Sequence, residues 1–144
     1  MLVIDSSITM VWCFEDETSE LAELVFDRLL VGGAYVPLVW PLEVANSIVV
    51  GERRRRLSRT ESEQFLRSLA RLPITIAAAS GLEQAFGSAL SVAREQGLSI
   101  YDACYLDLSL RLGLPLATLD GRLRAAAERV GVPVVGVGAN GTIP

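Results

Sequence analysis

Two residue types are missing from this chain of 144 residues: it has no histidine and no lysine, and all 13 basic residues are arginine. Without histidine, a catalytic triad with an imidazole base is excluded. Without lysine, Schiff-base chemistry and the lysine contact of a P-loop are excluded. Acid–base chemistry must therefore use carboxylates, tyrosine, cysteine or water bound to a metal.

Cysteine and long apolar runs are also scarce. Cys13 and Cys104 lie in apolar segments without the CxxC spacing of a zinc site, so both are predicted to be reduced core thiols. No apolar run is long enough to cross a bilayer, and the acid at Asp5 does not fit the basic start of a signal peptide. The sequence therefore predicts a cytoplasmic protein without a membrane partner.

The chain is rich in apolar residues, at 51% with a mean hydropathy of +0.40, which suits a parallel sheet covered on both faces. Short apolar strands are predicted at 2–4, 34–36, 74–76 and 115–118, with a fifth, peripheral strand at 132–135. Helices are predicted between them, at 8–14, 19–31, 41–55, 60–71, 81 or 82 to 96, 99–113 and 121–129. This alternation predicts one α/β domain over 1–144, with a mainly parallel central sheet and a frayed tail from about residue 137.

Helix starts and stops are predicted from local signals. Thr60 with Glu63 and Ser99 with Asp102 have the spacing of capping boxes, and Gly113 ends the second of these helices.

Four carboxylates lie where apolar segments meet turns or helix starts: Asp5, Glu43, Asp102 and Asp120. Each has a simple structural explanation, since Asp and Glu favour helix caps and first turns. Yet Asp5 and Asp120 follow predicted strands, and sites in parallel sheets form beyond the strands' carboxyl ends. The net charge of −4 equals the charge of these four acids. One shared cation site would explain them together.

Carboxylate and water oxygens are the ligands that Mg²⁺ and Mn²⁺ prefer, and one or two such ions can activate water for attack on a phosphodiester. This chemistry needs neither histidine nor lysine. Three polar neighbours are predicted to support the acids. Ser6 follows Asp5, Asn46 lies three residues after Glu43 on the same helix face, and Thr118 lies two residues before Asp120.

Four segments together resemble the motifs of PIN-domain ribonucleases, in order and spacing, over nearly the whole chain. They are Val3-Ile4-Asp5-Ser6-Ser7, Leu42-Glu43-Val44-Ala45-Asn46, Tyr101-Asp102-Ala103 and Thr118-Leu119-Asp120. The resemblance is greatest to the VapC-type toxins of bacterial toxin–antitoxin pairs.

This resemblance implies a three-layer α/β/α fold and RNA cleavage that depends on Mg²⁺ or Mn²⁺. It also implies a homodimer and neutralisation by a VapB-like antitoxin. By motif match, Asp5, Glu43, Asp102 and Asp120 would be the catalytic and metal-binding acids, with Ser6, Asn46 and Thr118 as their polar support.

Two other classes remain open from the residues. In a phosphoaspartyl protein, a receiver or a phosphatase, Asp5 would be the nucleophile, but such proteins use a lysine, and Ser7 stands where they carry a second acid. A non-catalytic binding protein with a PIN scaffold would not need four acids.

Further features have less specific interpretations. The run Arg53, Arg54, Arg55 and Arg56 is a possible RNA contact or a solvated helix end. Asp107, five residues after Asp102, is predicted to lie on the surface. Apolar residues between Val11 and Val25 are predicted to form core, or else a groove for an antitoxin helix or a second subunit.

Overall fold

The chain folds into a central sheet of four parallel strands with helices on both faces. The structure, a computed structural model, describes residues 1–78 and 81–136. The strands are β1 (Leu2–Ile4), β2 (Ala34–Val36), β3 (Ile74–Ile76) and β4 (Leu116–Ala117). They lie in the order β3-β2-β1-β4, all parallel. The predicted three-layer α/β/α fold is confirmed.

Seven α-helices connect the strands within the described residues: α1 (Ser6–Cys13), α2 (Glu20–Gly32), α3 (Val39–Arg53), α4 (Arg59–Leu69), α5 (Leu90–Gln96), α6 (Ile100–Leu112) and α7 (Gly121–Arg129). Helix α1 packs against α2 and α3, whereas α6 packs against β1, β4, α5 and α7. None of the described helices has the length and apolar character that a bilayer crossing requires.

The strand order places a switch point between β1 and β4. The chain runs outward from β1 through β2 to β3, then returns to pair β4 with the other side of β1. Leu2, Val3 and Ile4 are buried completely or nearly so, because helices cover both faces of this central strand. A crevice forms beyond the carboxyl ends of strands at such a reversal. Asp5 follows β1 directly at this point.

Three local predictions need correction. The N-cap of α4 is Ser58, which forms the capping box with Glu61, and the predicted pair Thr60 and Glu63 does not cap this helix. Both pairs have the same spacing, so the pattern alone does not choose between them. The predicted continuous helix from 81 or 82 to 96 begins instead as a π-helix (Gln84–Ala89) that continues into α5.

The third correction concerns the fifth strand, predicted at 132–135. Its pairing with the sheet is a single parallel bridge between Leu116 and Val134. The two flanking hydrogen bonds join Leu116 N to Pro133 O and Val135 N to Leu116 O, both at 2.9 Å. Pro133 has no N–H to extend the ladder, and β4 is only two residues long. The tail predicted to fray from residue 137 lies outside the described residues.

A glycine in α3 lets that helix approach α1 closely. A Cβ built on Gly51 would lie 2.9 Å from Cε1 and 3.1 Å from Cζ of the buried Phe14 ring. We therefore expect Gly51→Ala to lower the free energy of unfolding by about 1–3 kcal/mol, because overpacking outweighs the gain in helix propensity. Urea unfolding followed by circular dichroism measures it.

Gly87→Ala is the matched control, because a Cβ at Gly87 meets no atom within 4 Å. We expect the control to keep or slightly raise stability. Equal effects of the two substitutions would show that the contact of Gly51 with Phe14 does not limit packing.

Candidate metal centre

Asp5 is a buried carboxylate whose two oxygens both accept hydrogen bonds. As the N-cap of α1, its Oδ1 accepts from the backbone N of Ser7 at 2.9 Å and of Ile8 at 3.3 Å, and from the Ser7 hydroxyl. Its Oδ2 accepts from the Thr118 hydroxyl. Burial raises the pKa of Asp5 from 3.8 to about 6, and the hydrogen bonds from Ser7 and Thr118 lower it only in part. The folded chain thus holds a carboxylate that lacks a compensating positive charge.

Two hydroxyls tie the ends of β1 and β4 together at this carboxylate. The Thr118 Oγ1 donates to Asp5 and accepts from the backbone N of Asp120 at 2.9 Å. The Ser7 Oγ donates to Asp5 and accepts from the backbone N of Leu119 at 3.0 Å. The Thr118 hydroxyl therefore links the backbone of Asp120 to the carboxylate of Asp5.

Asp120 and Asp102 each occupy the start of a helix. Asp120 is the N-cap of α7, and its Oδ1 accepts from the backbone N of Arg122 at 2.8 Å and of Leu123 at 2.9 Å. Asp102 lies in the first turn of α6, and its backbone N donates to the Ser99 Oγ at 3.1 Å. Burial raises the pKa of Asp102, Ser99 lowers it, and the negative charge of Asp120 raises it further. The charges of Asp102 and Asp120 therefore repel each other, and the positive charge of Arg122 offsets part of this effect on the pKa of Asp102.

Glu43 reaches the same region through Tyr105. The buried Tyr105 lies one turn after Asp102 on α6, and its hydroxyl donates a hydrogen bond to Glu43 Oε2. The Ser6 hydroxyl also hydrogen-bonds to Tyr105. Burial raises the pKa of Tyr105, and the hydrogen bond and charge of Glu43 raise it further, so the tyrosine stays protonated as a donor.

The four predicted acids thus form one connected set. Tyr105 and Ser6 link Glu43 to the start of α1. Thr118 links the carboxylate of Asp5 to the backbone N of Asp120, and electrostatic repulsion couples Asp120 to Asp102. None of the four forms a salt bridge within the described residues. No three acids, histidines or cysteines in that part of the chain are close enough to ligate one ion together. Ligation by three acids therefore requires side-chain adjustment.

The donor set fits a hard divalent cation in its chemistry. It consists of carboxylates with several unused lone pairs, because Asp120 Oδ2 and Glu43 Oε1 accept no hydrogen bond from the described residues. A cation here would offset the cost of burying the charged Asp5 carboxylate, and it would reduce the repulsion between Asp102 and Asp120.

Of the three predicted polar neighbours, two contact the connected set and one does not. Ser6 and Thr118 contact the connected set directly. Asn46 is exposed and has no hydrogen bond to the four acids among the described residues. It lines a neighbouring cavity instead.

In the arginine run, Arg56 is bound to Asp16 and Glu17, each at 2.9 Å, and its guanidinium lies 3.9 Å from the centre of the Phe14 ring.

Asp107 was predicted to lie on the surface, and that prediction is wrong. The residue is 2% exposed, and its carboxylate accepts from Arg111 Nε at 3.0 Å and from Gln84 Nε2 at 3.2 Å. Helix α6 packs against the sheet and against neighbouring helices, so a residue that does not face the sheet is buried as well.

The sequence prediction missed Tyr105 and Ser7, which orient the carboxylates. A signal for Tyr105 exists, because residues three apart on a helix share a face and Asp102 lies three residues before it. No comparable signal marks Ser7, whose contact with Leu119 depends on the pairing of β1 with β4.

The family model described as PIN domain matches residues 2–129. No curated protein matches the chain.

Three solved structures have similar folds. PAE2754 from Pyrobaculum aerophilum shares 20% identity at a TM-score of 0.66, over 87% of this chain and 84% of that one. FitAcB from Neisseria gonorrhoeae shares 15% identity at 0.63, over 93% and 96%. A toxin–antitoxin complex from Klebsiella pneumoniae shares 14% identity at 0.57, over 83% and 87%. At these identities the similarity establishes the fold.

Proposed function

Because the chain belongs to the PIN domain family, we propose that it is a divalent-metal-dependent endoribonuclease of the VapC toxin type. One observation carries the proposal. Four acidic residues that form no salt bridge within the described part of the chain are linked at the switch point of a parallel sheet, and the pKa values of Asp5 and Asp102 are raised there by burial. Such a set suits a Mg²⁺ or Mn²⁺ ion, singly or as a pair.

In this proposal Asp5, Asp102 and Asp120 hold the metal, with Glu43 as a further ligand or as the residue that orients the attacking water. The bound metal supplies an acidified water and stabilises charge on the phosphate and the leaving oxygen. The chain's own residues position these acids. Ser7 and Thr118 fix both oxygens of Asp5 by hydrogen bonds, and they align the start of α1 with the end of β4.

Tyr105 gives Glu43 its orientation. Its proton stays on the phenol and points to Glu43 Oε2, which leaves Oε1 as the acceptor for a water proton. Attack by water on the phosphorus would break the bond to the 3′-oxygen and leave 5′-phosphate and 3′-hydroxyl ends.

The partners are proposed from the family and from one structural neighbour. An RNA with a defined fold is the proposed substrate, and the cytoplasm is the proposed compartment. A VapB-like antitoxin is the proposed inhibitor, since the Klebsiella pneumoniae neighbour was solved as a toxin–antitoxin complex. The proposed assembly is a homodimer.

The test is cleavage of RNA by the purified protein, with analysis of the product ends. We expect cleavage with Mg²⁺ or Mn²⁺, none above background with EDTA, and products that carry a 5′-phosphate. Cleavage that persists in EDTA, or products with 2′,3′-cyclic phosphate, would overturn the metal-dependent hydrolytic mechanism.

A further inference from the structure

A cavity of about 290 Å³ lies between α1 and α3 and contains two arginines of the run. Its apolar side comprises Met10 and Phe14, and its polar lining includes Asn46, Ser47, Arg54 and Arg56. Arg53 and Arg55 do not line it. Arg53 ends α3, and Arg55 has a left-handed backbone, with φ 58°, as the chain turns away. The four successive arginines are therefore not equivalent.

This cavity begins one helical turn beyond Ser6 on α1 and beyond Glu43 on α3. On α1, Met10 lies one turn beyond Ser6, which hydrogen-bonds to Tyr105. On α3, Asn46 and Ser47 lie one turn beyond Glu43, and Arg54 lies eleven residues beyond it, or about 16 Å along the helix axis. The groove between α1 and α3 thus has an acidic end and a basic end.

The two arginines of the cavity differ in their partners. The guanidinium of Arg56 is bound to the carboxylates of Asp16 and Glu17. Arg54 is exposed and has no acidic partner within the described residues. Arg54 can therefore accept an anion without breaking a salt bridge, whereas Arg56 must first lose its contacts with the 15–17 loop.

We propose that this cavity binds a phosphate of the RNA strand a few nucleotides from the cleaved bond, with Arg54 as its contact. We also propose that Asp16 and Glu17 compete with the RNA for Arg56. The inference depends on the proposed nuclease function. An RNA strand could place one phosphate at the metal held by the acidic end of the groove and another at the arginine of the basic end, so its charge would be matched at both ends. A guanidinium donates to phosphate oxygens by paired hydrogen bonds.

The experiment measures binding of a labelled single-stranded RNA to the full chain by fluorescence anisotropy, in EDTA, over a range of salt concentrations. The wild type is compared with Arg54→Ala and with Arg53→Ala, a neighbouring arginine with the same charge change that does not line the cavity. We expect Arg54→Ala to weaken binding about tenfold at low salt and to lower the slope of log K against log salt by about 0.7. Arg53→Ala should change binding less than about twofold and keep the slope.

The competition is tested with a second matched pair. Glu17→Gln, which frees one contact of Arg56, should tighten RNA binding about threefold and steepen the salt slope, whereas Glu15→Gln in the same loop should do so much less. Melting temperatures check that each variant is folded.

Each outcome has a separate meaning. If Arg53→Ala and Arg54→Ala weaken binding equally, the contact is diffuse electrostatics and the phosphate subsite is wrong. If Glu17→Gln matches Glu15→Gln, the competition is wrong. If Arg54→Ala leaves RNA binding intact but weakens binding of an acidic peptide, the cavity is a protein contact, which also overturns the inference. In these cases metal-dependent cleavage by the wild type would leave the proposed function standing. No RNA binding and no cleavage by the wild type would overturn both.

Discussion

Asp102→Asn abolishes metal-dependent RNA cleavage while the fold survives: we expect kcat/KM to fall at least about a thousandfold. Loss of a metal ligand removes several kcal/mol of transition-state stabilisation. The rate falls tenfold for every loss of about 1.4 kcal/mol. The fold survives because the substitution keeps the backbone N of Asp102, which donates to the Ser99 hydroxyl that caps α6. The substitution also removes the repulsion with Asp120.

The measurement is cleavage of one RNA substrate by wild type and variant, purified in parallel, with melting temperatures in EDTA. Asp27→Asn is the matched control. Asp27 is an exposed residue of α2, and it lines a cavity together with Met1. Met1 lies at the amino end of β1, whereas Asp5 follows its carboxyl end. We expect this control to keep full activity. Full metal-dependent activity in Asp102→Asn would contradict the role of the carboxylate, and equal losses in both variants would point to a general effect of charge.

We expect Asp5→Asn to stabilise the folded protein, whereas most substitutions in a core destabilise it. The pKa of Asp5 is about 6 in the folded chain and 3.8 for the unperturbed group. Between these values the folded state holds more protons than the unfolded state, so the free energy of unfolding falls as pH rises from about 4 to about 6. A shift of about two pKa units corresponds to roughly 3 kcal/mol of stability lost above pH 6.

Asparagine cannot ionise, and its Oδ1 can still cap α1. In EDTA near pH 7.5 we therefore expect Asp5→Asn to raise the free energy of unfolding by about 1–3 kcal/mol. Below pH 4 the gain should vanish, because Asp5 is then protonated in both states. Saturating Mn²⁺ should reduce or reverse the gain by stabilising only the wild type. Asp5→Asn should also abolish cleavage, so activity and stability change in opposite directions.

Urea unfolding at several pH values, with EDTA or Mn²⁺, provides these data. Asp27→Asn, at an exposed position of α2, again serves as the control for the loss of one carboxylate. A wild type whose stability rises between pH 4 and pH 6, or an Asp5→Asn protein that is less stable at pH 7.5 in EDTA, would contradict the description of Asp5 as a buried carboxylate without a compensating cation.

Much of the fold could be predicted because local chemistry and burial agree along this chain. The three residues of β1 are apolar because helices cover both faces of the strand, and Gly97 and Gly113 end α5 and α6 in left-handed conformations, with φ of 64° at both. Prediction failed where two local solutions were equivalent. The pairs Ser58–Glu61 and Thr60–Glu63 have the same spacing, and only the folded chain shows which one caps α4.

The candidate site was predictable in its residue types but not in its connections. Asp5 and Asp120 could be placed at one sheet edge because both follow strands. The side chains that orient these acids depend on which elements pack together. Tyr105 meets Glu43 across 62 residues, and Thr118 meets Asp5 across 113 residues, and neither pairing leaves a local pattern in the sequence. The burial of Asp107 was missed although its partner Arg111 is four residues away, because its other partner, Gln84, lies 23 residues away and comes near it only in the fold.

Location of Mn²⁺ by anomalous diffraction, in crystals of the chain soaked with that ion, is the most direct measurement. A strong peak within about 2.0–2.6 Å of carboxylate oxygens from Asp5 and Asp102, with Asp120 or Glu43 completing the set, is the result we predict. A peak bound elsewhere, or no peak at these acids at a saturating concentration of Mn²⁺, would contradict the metal centre.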